Sequence, residues 1–276
     1  MLCVRSDLKM VKIRRCAAPS ERAMTDVNRL ERFWNDLALT FPETVRIKEA
    51  VACHVLEIPA PLYNHVTSVN VDDDEAEDFL KTVMKHFSSR KLPFACFRVS
   101  PLTRPTSFAS LLGLYGFEKS LEQSIMVFKG KPSEEKMNPD VKIREIPENE
   151  IDTFDKVAFT TFEMPTERKK AVDRIFLEMT RKGAKNYVAY AEGKPVGTAT
   201  LFSLMKTGSI FMVGTLKEYR KHGIATTLVV RALMDSVDEG NDLHTLQCVK
   251  GGDAERLYQR IGFEVDHTVA FFVKKL

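Results

Sequence analysis

The six residues Arg220-Lys221-His222-Gly223-Ile224-Ala225 have the types and order of an anion-binding turn. The apolar run Ile210-Phe211-Met212-Val213 precedes them and an apolar-periodic run, Ile224 to Val237, follows, so the segment reads as strand, tight basic turn and helix. The first N–H groups of a helix have no internal partners, and the helix dipole adds partial positive charge there. A phosphate is the natural ligand of such a terminus. Gly223 lets the backbone come close and Ala225 keeps the next position small, while Arg220 and Lys221 add charge. The five cysteines, Cys3, Cys16, Cys53, Cys96 and Cys248, contain no Cys-x-x-Cys pair, so neither a zinc site nor a disulfide framework is expected.

A second motif lies downstream, Ala254-Glu255-Arg256-Leu257-Tyr258-Gln259-Arg260-Ile261-Gly262-Phe263, and a hairpin upstream, Glu192-Gly193-Lys194-Pro195-Val196-Gly197. Arg-x-x-Gly-x-Ala followed by Ala-x-x-Leu-Tyr-x-x-x-Gly-Phe, in this order after the hairpin, resembles the GNAT superfamily of acyl-CoA-dependent N-acyltransferases. The resemblance covers roughly Val141 to Leu276. It implies a fold in which two adjacent parallel strands, here the fourth and fifth of this half, splay apart to admit the pantetheine of acetyl-CoA. It assigns phosphate contacts to Arg220, Lys221, His222, Gly223, Ile224 and Ala225. Pantetheine and the acyl carbonyl fall to backbone groups of Val213, Gly214 and Thr215.

Acyl transfer to an amine also needs proton chemistry. The resemblance places Tyr258 beside the CoA sulfur as general acid, and a phenol with pKa near 10 is close enough to a thiol near 8.5 for proton transfer. The general base is not readable. Glu163, in the turn between the first two helices of this half, is one candidate; Asp266, His267 and His244 are others. Gly251 stands where many members of the family have an asparagine that contacts CoA. Cys248, at the end of a strand, is expected to be buried and inert.

The elements that position these residues form two related halves. Leu111-Leu112-Gly113-Leu114-Tyr115-Gly116-Phe117-Glu118 parallels Leu257 to Glu264, and each is followed by an apolar strand. Residues 24–129 read as a degenerate GNAT-like domain, 130–139 as a Gly- and Pro-containing linker, and 140–276 as the catalytic GNAT domain, each domain a mixed, mostly antiparallel twisted sheet flanked by helices (α/β, α+β). In the first half Asp26 to Leu39 has a helical stripe of Leu30, Phe33, Trp34 and Leu37, with Trp34 as core. Its counterpart of the basic turn is Asp72-Asp73-Asp74-Glu75, which would repel a pyrophosphate, and its counterpart of Tyr258 is Leu112. This half is expected to bind no CoA and to serve packing or the acceptor wall.

Composition fits a soluble globular protein, with 44% hydrophobic and 29% charged residues. No window approaches a bilayer-spanning length, and Met1 to Arg5 opens no apolar signal core, so a cytoplasmic protein is expected. Of the net charge of +3, residues 1–23 carry +4 and the remainder −1, so the basic balance belongs to a leader expected to be flexible, with Met24 as an alternative start. No basic face suggests nucleic acid, and no membrane or metal is expected. The expected function is N-acetyl transfer from acetyl-CoA to a small-molecule or peptide amine by direct attack in a ternary complex. A non-catalytic acyl-CoA sensor and a transferase of a longer acyl group share the same motifs.

Overall fold

A computed structural model describes residues 26–39 and 43–276. The expected leader at 1–23 lies outside the described residues. The first half contains α1 (Asp26–Ala38), β1 (Glu43–Ile47), β2 (Ala50–His54), β3 (His65–Thr67), α2 (Ala76–Ser89), β4 (Phe94–Val99), α3 (Phe108–Leu114) and β5 (Glu118–Phe128). The second contains β6 (Lys142–Ile146), α4 (Ile151–Thr161), α5 (Lys169–Arg181), β7 (Lys185–Ala191), β8 (Lys194–Leu204), β9 (Thr207–Thr215), α6 (Ile224–Asp238), β10 (Leu243–Val249), α7 (Asp253–Ile261) and β11 (Phe263–Lys275). Strand β1 has no counterpart in the sequence reading, because it is an edge strand of mixed exposure and carries no strong apolar run.

The fold is mixed α/β, and the two halves run together as one eleven-stranded sheet in the order β1-β2-β3-β4-β11-β5-β10-β9-β8-β7-β6. Among the strand pairs of the described residues, only β3–β4 and β9–β10 are parallel. Each half repeats one sequence of elements: a parallel strand pair, a short helix, a glycine and a buried phenylalanine, then a long strand. Gly116 (φ +77°) and Gly262 (φ +119°) end α3 and α7 in the left-handed conformation, and Phe117 and Phe263 drop into the core behind them. The long strands are exchanged. β5 inserts between β10 and β11, and β11 inserts between β4 and β5. Their mutual pairing runs from Phe263↔Phe128 to Val273↔Glu118 and joins the halves through backbone hydrogen bonds.

Alternation along the strands sorts side chains to two faces. Ile125, Val127, Phe202 and Phe271 join α1, α4 and α5 in one core that spans both halves. Met126, Phe128, Ala199 and Leu201 face α6 and α7, and Ala95 and Phe97 face α2 and α3. At the seam, Arg98 of β4 makes a forked hydrogen bond to Glu31 of α1 at 2.7 and 2.8 Å, and His267 of β11 reaches the same carboxylate at 3.0 Å. These groups are nearly inaccessible to solvent. Burial penalises the Glu31 carboxylate, but Arg98 and His267 outweigh it and hold the group ionised well below the usual carboxylate range. No helix among the described residues is long and apolar enough to cross a membrane.

Candidate active site

The parallel pairing of β9 with β10 stops at Ile210↔Leu246. Beyond it, residues 211–215 and 247–249 have no ladder partner across the gap, so the two strands splay at their C-terminal ends. β9 also bulges there. Thr198↔Gly214 and Thr200↔Phe211 bracket the irregularity, Met212 takes φ +53°, and the Thr198 hydroxyl holds the Met212 carbonyl at 2.9 Å. A bulge re-aims backbone groups and interrupts pairing. The end of β9 therefore offers backbone polar groups to the opening.

A cleft of about 600 Å³ lies at the splay. Val213, Gly214 and Thr215 form one wall, and the start of α6 with Arg220, Lys221, Gly223, Ile224 and Ala225 forms another. Thr161 and Phe162 from the end of α4, and Tyr258 with Asp253, Arg256 and Arg260 from α7, also line it. Lys221 (φ +67°) and Gly223 (φ +74°) both sit in the left-handed region, a turn that aims consecutive N–H groups inward, and no side chain caps α6. A Cβ at Gly223 would meet only Asn138 Cβ at 3.5 Å, so conformation rather than crowding calls for glycine there. A Cβ at Gly214 would lie 2.5 Å from Thr161 Cγ2, and one at Gly197 would lie 2.8 Å from Ile224 Cγ2. These two bare positions let the end of α4 and the start of α6 close on β9 and β8.

The basic turn is held from outside. Asn138, in the segment read as a linker, donates Nδ2 to the His222 carbonyl at 2.8 Å, and its own N–H donates to Thr227 Oγ1 at 2.9 Å. His222 itself is exposed and does not line the cleft; its carbonyl anchors the turn. Helix α7 is fixed similarly. Gly251 (φ +72°) donates its N–H to Glu255 at 2.9 Å, and Ser124 of the exchanged strand β5 donates to the same carboxylate oxygen at 2.7 Å. Position 251 thus carries a left-handed turn, and the glycine there offers only its backbone N–H where many members of the family have an asparagine side chain.

Tyr258 is 6% exposed and lines the cleft, its ring 6.0 Å from that of Phe263. Burial, with Cys248 adding to it, pushes the phenol well above its ordinary value, so the hydroxyl is held protonated. Cys248 faces the core against Met126 and is pushed up to about 11 by burial and the Glu255 carboxylate; its thiol is an inert neighbour.

The candidate bases are not brought to the cleft. Glu163 (φ +49°) is exposed in the turn after α4 and does not line it. Asp266 and His267 are bound to each other at 2.7 Å, with His267 also on Glu31; burial pulls the imidazole down, but these two carboxylates overcome that and raise it. His244 packs against Ser236 Oγ at 2.8 Å and is lowered by burial. Behind the cleft, between α4 and α5, Asp155 is buried beside Asp173 and 3.9 Å from Lys169. Burial and then the Asp173 charge push Asp155 up to about 7. Both of its oxygens and Asp173 Oδ1 lack a hydrogen-bond donor, the pattern of two carboxyl groups sharing a proton.

Sequence reading missed Asn138, Thr161, Phe162, Arg256 and Arg260. The arginines lie within the quoted motif and were legible as charge near it, whereas Asn138 carries no local signal. Residues 151–263 match the model of the acetyltransferase (GNAT) family. None of the curated proteins compared with it matches the chain. A GCN5-related N-acetyltransferase from Kribbella flavida is similar in fold at 17% identity and TM-score 0.72, with 91% of this chain and 96% of that one covered. A second, from Sphaerobacter thermophilus, gives 16% identity and TM-score 0.66 over 90% and 85%. A tandem GNAT protein from the clavulanic acid biosynthesis pathway gives 13% and 0.62 over 91% and 96%.

Proposed function

We propose that this protein is an N-acetyltransferase that moves an acetyl group from acetyl-CoA to a primary amine by direct attack. The observation that carries this reading is the single cleft in which an uncapped, cationic start of α6, the end of β9 where it has parted from β10, and the protonated Tyr258 converge. The residues present fit the donor: the left-handed turn at Lys221 and Gly223 presents N–H groups to a pyrophosphate, and bare Gly214 lets Thr161 and Phe162 close on β9 as a cleft wall. When bound, acetyl-CoA supplies an activated acyl group.

The chain's own residues then act as follows. Arg220, Lys221 and the first N–H groups of α6 hold the phosphates. Backbone N–H groups at the end of β9, on the side where its ladder with β10 has ended, are assigned to donate toward the carbonyl oxygen, where negative charge develops. The amine nitrogen forms the new C–N bond as the C–S bond breaks. Tyr258, which lines the cleft, is assigned the role of protonating the departing sulfur, and the amine proton is assigned to water, since the candidate bases Glu163, Asp266, His267 and His244 do not line the cleft and the one carboxylate that does, Asp253, sits at the exposed start of α7. The first half takes no second donor, because Asp72 to Glu75 places four exposed carboxylates at the corresponding helix start.

Calorimetry tests the donor site. One acetyl-CoA should bind per chain. Gly223→Leu forces a branched residue into a left-handed turn, at a cost of roughly 1–2 kcal/mol, and Arg220→Glu reverses the charge at the phosphates. Both should weaken binding at least about tenfold, and unchanged affinity in both removes the assignment. Thiol release from acetyl-CoA across an amine panel tests turnover.

A further inference from the structure

A second cavity, of about 190 Å³, lies on the opposite face of the sheet from α6 and α7. Helices α1 and α5 roof it, and the sheet beneath it contributes residues from both halves. Its walls are mostly apolar, with Trp34 and Leu37 of α1, Phe176 of α5, Phe211 of β9 and Phe271 of β11, and His65 and Thr67 of β3 add polar groups at one side. Met212, which also lines it, is the bulged residue, and Val213, next in the chain, lines the donor cleft. Gln247, the first β10 residue beyond the last parallel pair, also lines this cavity. The two cavities therefore approach the same strand opening from opposite sides.

Resting on the transferase reading, we infer that this cavity binds the apolar body of the acceptor, and that the acceptor is an aryl- or branched-alkyl primary amine without a carboxylate or a second ammonium. Three observations define that class. The donor enters from the cationic side, which leaves the opposite side of the opening to the nucleophile. A dry cavity of about 150 Å³ takes a benzene ring, so this one holds a single ring on a short chain. Arg98 is the one lysine or arginine that lines it, and its guanidinium is already forked onto Glu31 at 2.7 and 2.8 Å. A carboxylate on the acceptor would find no free cation there, and a second ammonium would lose its water without a carboxylate to pair with, since no Asp or Glu lines the cavity and the nearby Glu31 is already held by Arg98 and His267. The first half of the chain thus sets acceptor choice through α1, β3 and β4.

Trp34 is the single tryptophan of the chain and lines the cavity, so its fluorescence reports occupancy without turnover. 2-Phenylethylamine should perturb Trp34 emission saturably in the full-length protein, and spermidine and glycine should not. With saturating acetyl-CoA, kcat/KM for 2-phenylethylamine should exceed that for either by at least tenfold. Ala38→Phe, which fills the cavity from the end of α1, should raise KM for 2-phenylethylamine at least tenfold and leave the calorimetric affinity for acetyl-CoA unchanged. Leu62→Trp, at the partly exposed mouth, should act the same way in kinetics if Ala38→Phe does not fold. If acetyl-CoA does not bind the wild type, the transferase reading fails, while the Trp34 titration still reads the cavity. If acetyl-CoA binds but 2-phenylethylamine neither perturbs Trp34 nor is acetylated, the acceptor assignment is overturned. A preference for hexanoyl-CoA over acetyl-CoA that disappears in Ala38→Phe also overturns it, by giving the cavity to the acyl chain.

Discussion

Replacing Tyr258 by phenylalanine removes one oxygen and separates chemistry from folding. The ring would keep its contact with Phe263, and the hydroxyl has no hydrogen-bond partner among the described residues, so no buried group is orphaned. Loss of such a group belongs with mild substitutions, about 0.5 kcal/mol or less in stability. The kinetic effect should be far larger. If the phenol protonates the sulfur as the C–S bond breaks, its loss removes general acid catalysis worth about 10²–10⁴ in rate, or roughly 3–5 kcal/mol of barrier. The raised pKa sharpens the test. A hydroxyl held well above its ordinary value stays protonated through the assay range, so the wild-type rate should not fall at high pH through ionisation of Tyr258 below about pH 10. The assay is steady-state thiol release at saturating amine, paired with calorimetric affinity for acetyl-CoA and a urea melt on the same preparation. The expected result is unchanged affinity, a midpoint within error of wild type, and kcat lowered at least a hundredfold. A variant with wild-type kcat would show that solvent supplies the proton, and a variant that loses acetyl-CoA affinity in proportion to kcat would make Tyr258 a binding residue.

Other outcomes follow from the buried charges and the strand exchange. The Asp155 carboxyl binds its proton more tightly folded than unfolded, so its contribution to stability is full below about pH 4 and is lost as pH rises through about 7; with 3.8 as the reference, the ceiling is roughly 4 kcal/mol. Asp155→Asn should therefore flatten the Tm profile between pH 4 and 8 and gain on wild type at pH 8; an unaltered profile would refute the shared proton. Glu31→Ala leaves Arg98 and His267 buried without their common anion and should cost about 3–5 kcal/mol in urea unfolding, against an alternative of under 1 kcal/mol if the seam is hydrated. The fragment 137–276 lacks β5, which separates β10 from β11, so it should not fold as a monomer; a cooperative melt and dispersed amide spectrum from that fragment would contradict the exchange.

The sequence by itself determined what is local. The start of α6 was legible because Gly223, the basic pair and the apolar period of the helix lie within one continuous stretch. Gly116-Phe117 and Gly262-Phe263 announced two helix ends followed by two long strands, since a left-handed cap and the residue after it are set by adjacent backbone. Tertiary structure alone decided which strand each long strand joins. Both β5 and β11 are apolar on alternate residues, and nothing in that pattern prefers a neighbour from the same half over one from the other. The ion pair of Glu31 with Arg98 spans 67 residues and that with His267 spans 236, while Asn138 reaches the basic turn across 84. Partners at such separations leave no mark on local spacing. The second cavity belongs to the same class: Trp34 reads as a core residue of α1, Phe176, Phe211 and Phe271 lie on three other elements, and only the packing of α1 and α5 over the exchanged sheet leaves a space among them.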